Sequence, residues 1–129
     1  MNRFENAATK LYNAFNKGEL NADECSTCAV GNLCNNETYW VSRSHKYNAA
    51  KVKEVTGYNL LETQNIEDLF MFGTKANVTT RLWISYEMTK ENQYDGLMLV
   101  LEYLAELDGI EIPEVTVKNF KKALTVQQR

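Results

Sequence analysis

Apolar residues recur along this chain at three- and four-residue spacing, the period of one face of an α-helix. Phe4, Ala7, Ala8, Leu11 and Phe15 form the first such stripe. Asn2 with Glu5 fits its start, because an Asn side chain accepts from early backbone amides, and Gly18 suits the left-handed turn that ends it. Asn21 with Glu24 repeats the start signal just before a cysteine-rich stretch. A weaker helix is predicted from Tyr47 to Val55, closed by Gly57. Asn59 with Glu62 opens another, running through Ile66, Leu69 and Phe70 to Gly73. From about Lys90 to Asp108 the stripe is Tyr94, Leu97, Met98, Leu101, Leu104 and Ala105, with Gly109 as its stop. Pro113 breaks the chain again. Thr116 then caps a last helix, with Val117, Phe120, Ala123 and Leu124 inward and Lys118, Lys121 and Lys122 outward.

Two stretches lack a clean period. Asn35 to His45 is polar and aromatic and reads as loop, with one helical turn near Tyr39 and Trp40. Thr74 to Thr89 contains a β-branched and aromatic run, but one strand has nothing to pair with, so helix is the assignment. The glycines read as helix stops. With 129 residues and 44% hydrophobic content, the chain suits one core. The expected fold is mainly α: a single domain over 1–129, one compact bundle of about five or six helices, with a Cys-rich loop at 25–45.

That loop carries the candidate chemistry. Cys25-Ser-Thr-Cys28-Ala-Val-Gly-Asn-Leu-Cys34 holds all three cysteines, and His45 is the only histidine. If a short helix includes the first pair, Cys25 and Cys28 share a face, and Gly31 lets the chain turn so that Cys34 comes back towards them. Three thiolates and an imidazole make a tetrahedral zinc set, and a closed four-ligand site is structural rather than catalytic. Such an ion would contribute to folding itself. A carboxylate such as Glu24 is the alternative fourth ligand. The same C-x2-C spacing also serves an iron–sulfur cluster, so spacing alone does not choose between zinc and iron. The plainer alternative is a set of packed thiols, since free cysteine behaves as a small hydrophobe. A thiol redox pair would need a lowered thiol pKa.

Charge refines the choice of partner. The net charge is −3 and the pI about 5.2, which argues against general attraction to nucleic acid. Yet Trp40, Arg43, Lys46, Lys51 and Lys53 interleave an aromatic with positive charge directly after the cysteines, a combination that can stack bases and hold phosphates. Nucleic acid is thus a secondary expectation, and another protein the favoured partner. From Glu87 to Glu114 eight carboxylates face one lysine, Lys90; their spacing matches no calcium loop.

The N-terminus has no apolar signal-peptide core, and the longest apolar run ends at Glu102, so neither secretion nor a membrane span is expected. Small disulfide-stapled domains usually carry an even number of cysteines, and three point instead to a reducing cytoplasm. There is no G-x-S-x-G, H-E-x-x-H or phosphate-cradling glycine loop, which leans the reading away from an enzyme. The sequence leaves the oligomeric state open.

The Cys25–Cys34 run, preceded by Lys10-Leu-Tyr-Asn-Ala-Phe and followed by Glu102-Tyr-Leu-Ala-Glu-Leu-Asp-Gly-Ile110, resembles a group of small proteins, chromosomal or phage-borne in bacteria. They commonly go by the name of one component of the sodium-translocating NADH–quinone reductase, the one that bears flavin and an iron–sulfur cluster. The resemblance implies Cys25, Cys28 and Cys34 as cluster ligands. The chain departs from the reductase component itself, whose cluster motif places the long gap before the short one. It also leaves no room for flavin and nicotinamide domains, so the resemblance does not extend to oxidoreductase activity.

Overall fold

The computed structural model describes residues 2–21, 28–36, 46–76 and 90–126. Six α-helices lie among them: α1 (Arg3–Lys17), α2 (Ala29–Leu33), α3 (Lys46–Thr56), α4 (Leu60–Ala76), α5 (Lys90–Leu107) and α6 (Glu114–Val126). The mainly helical bundle is as expected. The assignment of Thr74–Thr89 falls on the last turn of α4 and otherwise lies outside the described residues, as does the turn expected at Tyr39 and Trp40.

Local chemistry accounts for most helix ends. The Asn2 side chain accepts from the Glu5 amide at 2.8 Å, and Gly18, at φ 72°, donates to Phe15 O while Glu19 N reaches Ala14 O. Those two bonds satisfy carbonyls that the ending helix would otherwise orphan. Before α4, Asn59 and Glu62 bond reciprocally, Glu62 N to Asn59 Oδ1 at 2.8 Å and Asn59 N to Glu62 Oε1 at 2.9 Å, a complete capping box. α6 starts earlier than expected. Pro113 sits at its entry, where the carbonyl accepts from Thr116 and Val117, and its missing N–H costs nothing because early helix amides have no intrahelical partner.

The core runs through the middle of the bundle. α1 packs against α2, α5 and α6, while α4 lies along α5 and also meets α2. Phe4, Leu11 and Phe15 are fully buried with Leu97, Val100, Leu101 and Leu104. Phe120 of α6 closes one side, its ring 5.6 Å from Tyr12 and 5.8 Å from Phe15. Gln93, also buried, donates to Leu20 O at 2.9 Å and ties the end of the α1 turn to α5.

Two features fix how the helices sit. α4 and α5 touch at bare backbone. A Cβ on Gly73 would stand 2.5 Å from the Gly96 Cα, and one on Gly96 would stand 2.6 Å from both Phe70 O and Thr74 Oγ1. Gly73 and Gly96 are therefore not helix stops but the crossing point of the longest helix pair. The second feature is Arg3. Its guanidinium donates to Gly57 O at 2.9 Å and to Asp108 Oδ1 at 2.9 and 2.6 Å, lies 3.8 Å from Glu62, and covers the Tyr58 ring at 4.6 Å. One side chain thus joins α1, the α3–α4 turn and the end of α5.

Candidate functional site

Where the cysteine region is described, over residues 28–36, it holds a short helix. Residues 29–33 form α2, capped at its N-terminus by Cys28, whose sulfur accepts from Gly31 N at 3.3 Å. Gly31 lies inside this helix instead of turning the chain. Cys34 follows at the C-terminal end, where its amide donates to Val30 O and Gly31 O. Two consecutive left-handed residues, Asn35 and Asn36 at φ 59° and 66°, end the element, and Asn36 N reaches back to Gly31 O at 2.8 Å. Asn tolerates that region better than most side chains. A helix this short does not hold itself together. Burial of Ala29, Val30 and Leu33 holds it, together with a bond from Lys10 Nζ to Leu33 O at 3.1 Å.

Cys28 and Cys34 are both buried, at opposite ends of α2. The neighbour that matters to Cys28 was not singled out in the sequence. Glu67 of α4 is only 6% exposed, is hydrogen-bonded to the Cys28 thiol, and accepts from Val30 N at 3.4 Å. Burial, and then the Glu67 charge and hydrogen bond, push the Cys28 thiol well above its ordinary value, against the smaller opposing pull of the Gly31 and Val30 amides. The thiol is held protonated at neutral pH, a poor nucleophile. The helical period did carry a signal for Glu67. Thr63, Glu67, Phe70 and Thr74 recur at three- and four-residue spacing and are all fully or almost fully buried.

Of the four expected metal ligands, Cys28 and Cys34 are thus core side chains, while Cys25 and His45, and the alternative Glu24, lie outside the described residues. Among the described residues no group of three or more His, Cys, Asp or Glu side chains converges on a point. Of the basic-aromatic stretch, Trp40 and Arg43 lie outside the described residues. Lys46 opens α3, Lys51 is half-buried on it and Lys53 is exposed.

The surface offers two kinds of feature. A polar groove between α1 and the end of α2 has about 240 Å³ of open space, lined by Lys10, Lys17, Asn13, Asn32, Asn35 and Asn36 with Glu19 at its edge. Lys10 is already committed to the helix-end carbonyl of Leu33. The other feature is apolar. Leu61 and Phe72 of α4 are 71% and 64% exposed, and at eleven residues, three turns, apart they stand on one side of the helix. Asp68, also exposed, lies between them. No helix among the described residues is long and apolar enough to cross a membrane.

No protein-family model matches the chain, no curated protein is similar to it, and no solved structure matches its fold.

Proposed function

We propose that this chain is a non-catalytic helical domain that acts by binding another protein through the outer side of α4. The observation that carries this reading is the pair Leu61 and Phe72. Large apolar side chains this exposed, on a helix locked in place by the Gly73–Gly96 crossing, form a pre-organised anchor surface. The test is quantitative capture of a partner from source-cell lysate by the wild type and by Leu61→Ser/Phe72→Ser. Capture falls to background in the variant while its thermal melt stays within a few degrees of the wild type; undiminished capture would refute the reading.

A metal is the addition that the cysteine spacing proposes, and one observation favours it. Cys28 and Glu67 already bring a sulfur and a carboxylate together, two of the donor types that zinc takes. Cys25 and His45 are the remaining candidates, since Cys34 lies at the far end of α2. The ion would displace the Cys28 proton, so binding would be tighter at higher pH. Elemental analysis on protein purified without oxygen or a metal-affinity tag decides between the candidates. Zinc without visible absorption supports a structural ion, and iron with sulfide and a brown colour supports the electron-carrier alternative. Neither element leaves Cys28 and Cys34 as core thiols.

A further inference from the structure

We infer that the outer side of the α4–α5 pair docks a basic amphipathic helix of a partner protein; this names the partner class for the interaction reading above and rests on it. The surface has an order. On α4, Leu61 and Phe72 are two exposed apolar anchors three turns apart, with the exposed Asp68 between them. Next to them, Leu99 of α5 packs over Gly73, its Cδ1 2.8 Å from where a Cβ would stand, and the Tyr103 hydroxyl accepts from Asn65 at 3.0 Å. Both α5 side chains are half-buried, so they fill the seam between the helices. Beyond the seam, Asp95, Glu102 and Glu106 recur at seven- and four-residue spacing and form one acidic edge, with Glu102 and Glu106 exposed. The one cation of α5 is Lys90, and its ammonium is turned inward, 3.9 Å over the Phe15 ring.

Apolar anchors with an acid between them and an acidic edge alongside are the complement of a helix with apolar anchors and basic residues beside them. Leu61 to Phe72 spans roughly 16 Å along the axis, which three to four turns of partner helix would cover. A second copy does not supply that helix from α6. Lys118, Lys121 and Lys122 make α6 basic and Val115 on it is exposed, but Phe120 and Ala123 are buried in its own bundle, so α6 has no apolar face to lay on the surface.

The probe is a fluorescein-labelled Leu/Lys helical peptide of about 18 residues with Leu on one face, compared with a peptide in which every Lys is Glu, each titrated against the full chain by fluorescence anisotropy. The Lys peptide binds, and its affinity falls by roughly tenfold or more for Leu61→Ser/Phe72→Ser and for Glu102→Lys/Glu106→Lys. It is unchanged for Glu19→Lys/Glu54→Lys, which alter net charge equally but elsewhere. Equal loss in that control would overturn the inference, because net charge alone would then explain binding. Equal binding of both peptides with dependence on Leu61 and Phe72 would overturn the basic partner and leave the interaction reading standing. Independence from Leu61 and Phe72 with either peptide would overturn both. A wild-type dimer dissolved by Leu61→Ser/Phe72→Ser would assign the surface to a second copy and overturn the inference as well.

Discussion

Gly96→Ala is the sharpest test of how the bundle is locked, because two effects of opposite sign meet at one atom. Helix propensity alone favours alanine over glycine in a helix interior by about 1 kcal/mol. Against this, the new methyl would lie 2.6 Å from Phe70 O, 2.6 Å from Thr74 Oγ1 and 3.0 Å from Thr74 N. Two of these atoms are backbone, so no rotamer change relieves the contact. The helices have to separate, loosening the apolar seam on both sides of the crossing. Overpacking of this kind costs typically about 1–3 kcal/mol, and the backbone obstruction puts Gly96 at or above the upper end. The net expectation is a loss of about 2 kcal/mol, or a fall of roughly 8 °C in melting temperature for a chain of this length. Urea unfolding followed by far-ultraviolet circular dichroism measures it. Gly73→Ala meets the Gly96 Cα at 2.5 Å and should lose a similar amount. The double variant should lose less than the sum, because one separation of the helices relieves both clashes. Gly109→Ala is the control: nothing lies within 4 Å of its Cβ position, so only the left-handed φ of 64° is strained, at about 1 kcal/mol. A neutral or stabilised Gly96→Ala would refute the close crossing.

Three further outcomes follow from side chains at the helix ends and in the core. Arg3→Lys keeps the charge but loses the forked bonds to Asp108 and Gly57; because the group is partly exposed, the cost should be only about 1 kcal/mol, read as a shift in urea midpoint. The raised Cys28 pKa stabilises the fold below the ordinary thiol value of 9.0, and that contribution is lost as pH rises above it, because the unfolded chain then releases a proton that the native thiol keeps. The stability gap between the wild type and Cys28→Ser should therefore shift against the wild type from pH 9 upward, and a constant gap would count against a buried thiol. Lys90 has the opposite sign: burial lowers it to about 8 from 10.5, so the native state gains stability as pH rises through that window. Lys90→Met should be more stable than the wild type at neutral pH, with the advantage shrinking as the pH approaches 10.5.

The parts of the fold that local chemistry determines could be read from the residues. Asn2 with Glu5, Gly18, Asn59 with Glu62 and Gly109 each mark a helix end that the hydrogen bonds confirm. What stayed hidden depends on contacts distant in sequence. Gly73 and Gly96 carry the same letter as a helix stop, and only the opposing helix makes them a crossing. α2 is too short to announce itself by periodicity and exists because the bundle buries it. Glu67 was obscured for a related reason: a carboxylate on an inward stripe reads as an exception until its partner, a thiol 39 positions earlier, is brought beside it. Leu61 and Phe72 are not on the stripe of Ile66, Leu69 and Phe70 that the period marks as inward, and both are exposed.

The claim that the chain works through the α4–α5 surface is tested most directly by hydrogen–deuterium exchange on the chain alone and bound to its captured partner. Protection gained in peptides covering 60–76 and 95–107, with 2–21 and 114–126 unchanged, is the expected footprint. Protection confined to α1 and α6, or none at α4, would contradict it.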